Sequence, residues 1–187
     1  MEIKEILDNI FSLPESSSES MMEAVTEIDY PKGYRLLKAD KVERSIYFIK
    51  KGIVRAYVGQ PGEEITFWFG LEGDTVVSMR SYVDAREGYE NIELLEDGTL
   101  YRLNVDVLSD LYAADINIAN WTRKFAEREL LQTEKRIIAR QCGTAAERYS
   151  ELINHNPELL QRIQLSYIAS YLGITQVSLS RIRAKFR

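Results

Sequence analysis

Residues 116–141 form a run of 26 without glycine or proline, carrying Ile118, Trp121, Phe125, Leu130, Leu131, Ile137 and Ile138. At 1.5 Å per residue such a run makes a helical rod approaching about 40 Å, longer than a compact domain of this size needs. Its apolar positions fit no single heptad seam. The rod is therefore expected to have two faces, one lying on a globular body and one on a second copy of itself, with burial inside a monomer as the alternative. Gly143 ends the rod. Thr144 and Glu147 then read as a capping box for a helix running to about residue 155, stopped by Asn156 and Pro157, with a hinge at 142–144.

Upstream of the rod the texture is that of short strands. Residues 2–12 place Ile3, Ile6, Leu7, Ile10 and Phe11 at helical spacing, Pro14 and the serines 17, 18 and 20 break the pattern, and a second short helix is expected near residues 21–28. From Gly33 onward, runs rich in Tyr, Ile, Val and Phe recur at residues 34–37, 45–49, 53–58, 65–69, 75–77, 92–95 and 100–103. Turn signals separate them at Gln60, Pro61 and Gly62, at Gly73 and Asp74, and at Glu96, Asp97 and Gly98. Strands spaced like this fold as an antiparallel sandwich or small barrel. The aromatic group Phe67, Trp68 and Phe69 reads as barrel core.

Composition removes several classes of function. The chain has 187 residues, one cysteine (Cys142) and one histidine (His155), so an intrachain disulfide, a zinc finger and a cysteine-held iron–sulfur cluster are excluded. A metal-dependent barrel enzyme needs several histidines and a carboxylate, and no Ser-His-Asp set, glycine-rich phosphate loop or Cys-His pair stands out, so no enzymatic activity and no cofactor are expected. Cys142 reads as inert. The acidic, serine-rich start lacks the features of a secretory signal and there is no 18-residue apolar run, so a cytoplasmic protein without membrane contact is expected. Charge is sharply segregated. Residues 1–120 hold 12 basic and 23 acidic side chains, net −11, whereas residues 121–187 hold 12 and 6, net +6. An acidic body with a basic end suggests a sensor joined to a polyanion-binding module.

That module is legible in residues 165–184, which have helix-turn-helix spacing. Ala169 sits where two helices cross, Gly173 suits a turn position with positive φ, and Ile168, Leu172, Ile174, Leu179 and Ile182 supply a small shared core. Thr175 is a good N-cap for the second helix, which is expected to enter the major groove of double-stranded DNA. Gln176, Val177, Ser180 and Arg181 are the outward candidates: Arg181 pairs with guanine O6 and N7, Gln176 with adenine, Val177 with a thymine methyl, while Ser178 and Ser180 donate to bases or phosphates. Arg183, Lys185 and Arg187 are expected to grip phosphates. A non-enzymatic protein-interaction module with a degenerate ligand-binding barrel is the competing reading, which the four basic residues at the end, with no acid after residue 163, disfavour.

The whole chain resembles the Crp/Fnr superfamily of bacterial transcription regulators. The echoes are Gly33, Tyr34, Arg35 and Leu36, residues 46–57, Gly73 with Asp74, Glu96 to Gly98, then Glu147 to Tyr149, residues 157–162, 167–175 and 179–183. The resemblance implies an α+β fold with a jelly-roll barrel of cyclic-nucleotide-binding type over residues 1–115, a dimerisation helix and hinge over 116–142, and a helix-turn-helix domain over 143–187. It implies a homodimer reading a two-fold symmetric operator, with RNA polymerase as a further partner. Two departures matter. The positions matching the family's phosphate-binding Arg-Ser/Thr-Ala run are Gly88, Tyr89 and Glu90, with Arg80, Ser81 and Arg86 nearby but outside them, so an anion meets repulsion and cyclic AMP is not expected to bind. Past Arg187 there are no residues for a wing, and Val177 replaces a Glu common early in the recognition helix, so the family's consensus DNA sequence is not transferred. The effector, the operator and the sign of regulation are not readable from these residues.

Overall fold

The computed structural model describes residues 1–60 and 62–186. They form two compact units, Met1–Ala56 with Phe69–Glu129, and Tyr57–Trp68 with Leu130–Arg187. In chain order the elements are α1 (Ile3–Ile10), α2 (Glu15–Glu23), β1 (Val25–Tyr30), β2 (Arg35–Leu37), β3 (Ser45–Lys51), β4 (Val54–Val58), β5 (Ile65–Gly70), β6 (Thr75–Val76), α3 (Met79–Asp84), β7 (Asn91–Leu94), β8 (Gly98–Asn104), α4 (Val105–Ala114), α5 (Ile116–Cys142), α6 (Ala145–His155), α7 (Leu159–Arg162), α8 (Leu165–Leu172) and α9 (Gln176–Ala184).

The strands make two four-stranded sheets, ordered β1-β8-β3-β6 and β2-β7-β4-β5. In the first, β8 runs antiparallel to both neighbours, pairing Val25 with Leu103 on one side and Ile46 with Leu103 on the other. Ile46 to Ile49 are all buried, so β3 is covered on both faces and reads as an unbroken apolar run without alternation. One face, with Ile46, Phe48, Tyr101 and Leu103, packs against Ile6, Leu7, Met21, Leu108, Ile118, Trp121 and Phe125 from the surrounding helices and Leu13 from the link between α1 and α2. Gly98 marks a close crossing of backbones, since a Cβ there would lie 2.7 Å from the Lys51 carbonyl oxygen.

Trp121 anchors this helical layer. Its ring stacks on Phe125 at 5.9 Å between centroids and meets Phe48 edge-on at 6.2 Å, and its Nε1–H donates to the Leu7 carbonyl at 3.0 Å. The donor is thus satisfied in the core, as a buried indole requires.

One expected element is displaced. A helix near residues 21–28 is replaced by α2 over Glu15–Glu23 followed by strand β1 over Val25–Tyr30. The serine run is accommodated in the helix with Ser17 Oγ donating to Asp115 Oδ2 at 2.6 Å and Ser20 Oγ to the Ser16 carbonyl at 3.0 Å, while Ser18 Oγ is buried without a partner among the described residues. The donation from Ser17, with the backbone N–H of Asn117, lowers the Asp115 pKa. Residues 25–30 lie extended because each finds a partner on β8. The turn expected at Gln60 to Gly62 is present as a bond from the Glu63 N–H to the Gln60 carbonyl, with Pro61 outside the described residues.

Trp121→Ala removes the stacked ring and leaves the Leu7 carbonyl with only the Phe11 N–H as donor, so denaturant unfolding followed by circular dichroism should show a loss of about 3–5 kcal/mol. Val83→Ala, at a side chain 68% exposed, should stay within about 0.5 kcal/mol of the parent. Equal losses at both sites would mean that Trp121 is not the anchor of this layer.

Candidate nucleic-acid interface

In the second unit, α5 ends where a Cβ on Gly143 would stand 2.8 Å from the Ala139 carbonyl oxygen. Next, α6 opens with a full capping box: Thr144 Oγ1 accepts from the Glu147 N–H at 3.2 Å, and Glu147 Oε2 accepts from the Thr144 N–H at 2.7 Å. The Thr144 N–H, with the Thr144 hydroxyl, holds the Glu147 carboxyl below its ordinary value. This fixes the chain's direction on leaving the rod.

Helix α8 ends at Gly173, whose φ of +68° is the left-handed conformation that glycine adopts without a Cβ penalty. The Ile174 N–H returns to the Ala169 carbonyl at 3.0 Å, closing the turn. Thr175 then caps α9, its Oγ1 accepting from the Ser178 N–H at 3.2 Å. Ile168, Ala169, Leu172 and Leu179 are buried, with Ile174 and Ile182 half-buried beside them. The small side chain of Ala169 is among the buried ones, as the motif expects.

The residues expected to face DNA separate into groups. Gln176, Val177, Ser180 and Arg181 are exposed, and at roughly 100° per residue they cover one arc of about 140° on α9. Lys185 is exposed just beyond the helix, and Arg183 is half-buried in its last turn. Thr175 is exposed at the helix start, but Ser178 is half-buried and its Oγ accepts from Thr175 Oγ1 at 3.0 Å, so this hydroxyl is engaged inside the cap. Arg187 lies outside the described residues. No acidic side chain occurs after residue 163, so the arc faces outward with no intrinsic counter-charge nearby in sequence.

Three contacts that sequence reading did not single out hold this surface. Phe186 meets the buried ring of Tyr149 edge-on at 5.5 Å, which ties the chain next to Lys185 back to α6. Ser170, on α8, accepts from the Thr66 N–H at 2.9 Å and donates to the Glu64 carbonyl at 2.8 Å, so the segment Tyr57–Trp68 is stitched to the motif by one hydroxyl. Arg148 reaches the carbonyls of Gly143 at 2.6 Å and Leu172 at 2.8 Å. None of these pairs follows a local spacing rule, so only an aromatic or hydroxyl at an otherwise undemanding position hinted at them.

In the first unit, the positions matching a phosphate cradle hold a buried carboxylate. Glu90 is 7% exposed and its Oε2 accepts from the Tyr89 N–H at 3.0 Å. A Cβ on Gly88 would lie 2.7 Å from Ser78 Oγ and 3.4 Å from both Glu90 carboxylate oxygens, so the spot is tight and negatively charged. Ser78 Oγ is buried without a partner among the described residues. Arg80 and Arg86 are exposed, and Ser81 Oγ is spent on the Arg86 carbonyl at 2.9 Å. Arg55, a buried cation on β4, donates to Glu93 on β7 at 3.0 Å. Among the described residues no group of three or more His, Cys, Asp or Glu is placed to hold a metal ion, and no helix is long and apolar enough to cross a membrane.

Residues 27–115 match the cyclic nucleotide-binding domain family. The chain is 25% identical to the fumarate and nitrate reduction regulatory protein of Vibrio cholerae, over 95% of this chain and 75% of that protein. Its fold is shared with FixK2 from Bradyrhizobium japonicum, at TM-score 0.70 and 21% identity over 86% of this chain and 83% of that one. A chain from Eubacterium rectale assigned to the Crp/Fnr family of transcriptional regulators superposes at TM-score 0.72 and 16% identity, over 95% and 87%. The likeness runs through both the barrel and the terminal helices instead of stopping at residue 115, so over most of its length the chain is similar to regulators of the Crp/Fnr type and shares their fold.

Proposed function

We propose that the protein is a sequence-specific DNA-binding regulator that works in the cytoplasm as a homodimer on a two-fold symmetric operator, without responding to cyclic AMP. The observation that carries this reading is the acid-free arc of Gln176, Val177, Ser180 and Arg181 on a helix capped by Thr175 and turned by Gly173. Polar and cationic side chains displayed on a short, rigid second helix suit base edges in the major groove. Arg181 is the guanine reader, Gln176 the adenine reader and Val177 the contact to a thymine methyl, with Ser180 donating beside them. Arg183, Lys185 and Arg187 supply phosphate contacts, and Thr175 and Ser178 set the helix start from which the others project. The functional division runs as 1–115, 116–142 and 143–187, and RNA polymerase is the expected partner of a regulator bound near a promoter.

Pairing is supported by α5. Leu130, Leu131, Ile137 and Ile138 are 72, 48, 51 and 55% exposed. Residues 130 and 137, and 131 and 138, are seven apart, so the four fall in one stripe, roughly opposite Ile118, Trp121 and Phe125 around the helix. Four large aliphatic groups in one stripe in water favour a second copy of the same stripe. Sedimentation at micromolar concentration should give twice the 21.6 kDa chain mass, and Leu130→Glu with Ile137→Glu should return it to a monomer that keeps its circular dichroism. A parent that sediments as a monomer would remove the basis for a two-fold operator.

Base reading and phosphate gripping have separate signatures. Arg181→Ala should cost about 1–3 kcal/mol on an operator selected from a random DNA library and relax preference at one base position per half-site. Lys185→Ala should weaken all duplexes alike and reduce the salt slope by about one unit. Equal loss on selected and scrambled duplexes for Arg181→Ala would place the reading face elsewhere.

The buried Glu90 carboxylate supports indifference to cyclic nucleotides, because it stands at one of the sequence positions matching the family's phosphate-binding run. Titration calorimetry with cyclic AMP or cyclic GMP should give no binding heat, and a micromolar dissociation constant for either would overturn that part of the reading.

A further inference from the structure

The guanidinium of Arg148 joins the ends of two helices. Arg148 lies on α6, half-buried, with Nη1 donating to the Gly143 carbonyl at 2.6 Å and to the Arg140 carbonyl at 3.4 Å, and Nη2 donating to the Leu172 carbonyl at 2.8 Å. Arg140 belongs to the last turn of α5, Gly143 comes directly after that helix, and Leu172 is the last residue of α8. Terminal carbonyls of a helix have no intrahelical partner and carry its negative end, so a cation with several donors is their natural complement. A single side chain supplies it to both helices at once. The Nε–H is buried with no acceptor among the described residues, which means that the two carbonyl ends, and not the satisfaction of every donor, dictate where the group sits.

The consequence is geometric. From α8 to α9 the path is fixed by the Gly173 turn and by the shared core of Leu172 and Leu179. From α5 to α8 the chain passes through α6, α7 and three connections, and the Arg148 fork ties the end of α5 to the end of α8 directly. The exposed stripe of α5 lies on the same helix as Arg140. We infer that Arg148 is a positioning residue that sets the spacing between half-sites that the paired protein accepts, by holding the recognition helix at one angle to the pairing helix. Lysine cannot replace it, because one compact ammonium does not present the fork that spans two helix ends.

This inference rests on the dimeric, operator-reading function proposed above. Its test uses the full chain, a palindromic duplex selected from a random library, and versions of it with one and two base pairs added to or removed from the spacer. Each base pair moves a half-site by about 3.4 Å and rotates it by about 35° around the duplex, so a rigid dimer should lose about tenfold or more per step. Arg148→Met and Arg148→Lys should bring all the spacers within about threefold of one another, while affinity for a single half-site stays within about twofold of the parent. A variant that loses affinity uniformly and keeps the parent's sharp spacing optimum overturns the inference, since that is what mere destabilisation does. A parent with no spacing optimum overturns it together with the two-fold operator. A parent with a sharp optimum leaves the proposed function standing whatever the variants do. Should Arg148→Met lose its helical circular dichroism, Arg148→Lys carries the same comparison, because its stem keeps most of the packing.

Discussion

Helix α5 has to satisfy two different surroundings along one continuous backbone, and the remainder of the molecule is arranged around that constraint. At its start Ile118, Trp121 and Phe125 are buried against β3, β8 and α1, with the indole N–H bonded to the Leu7 carbonyl. Toward its end Leu130, Leu131, Ile137 and Ile138 are in water. A helix that was only a core element would have no use for the second set, and one that was only a pairing device would not need the first. Whatever fixes the end of α5 also sets the direction of the helices that follow it. Arg148 and the Thr144 capping box sit at that point.

Charge divides the chain in the same place. Residues 1–120 carry the acidic excess and residues 121–187 the basic one, so a polyanion is attracted by the later residues and repelled by the earlier ones. Inside the barrel the same sign appears locally, in Glu90 beside Gly88 and in Glu93, which engages Arg55. A match to the cyclic nucleotide-binding domain family thus comes with a buried carboxylate at Glu90, and architecture alone does not carry ligand chemistry with it.

How much of this was legible in the sequence depends on whether the determining interactions are local. The rod, its end at Gly143, the capping box, the turn at Gly173 and the cap at Thr175 are all set by neighbours within a few residues, and the structure has them at the expected positions. The exchange of an expected helix near residues 21–28 for β1 came from partners about 70 residues away on β8, which no local pattern contains. The serine-rich α2 is helical for the same kind of reason, with Ser17 answered by Asp115. In the interface, the outward arc of α9 was readable from periodicity, whereas the engagement of Ser178 in the cap, the Phe186 contact with Tyr149 and the Ser170 bridge required coordinates.

If α5 pairs with its own copy while the protein holds DNA, the two rod ends lie close together, and the single cysteine allows this to be measured without altering the stripe. Cys142 is exposed at the last residue of α5. A nitroxide attached there, with pulsed dipolar spectroscopy of the full chain on a saturating palindromic duplex, reads the separation of the two helix ends. Paired helices with axes about 8–10 Å apart, plus the two label arms, should give one distance of about 20–35 Å. Full occupancy of the duplex with no dipolar modulation above background would contradict the account.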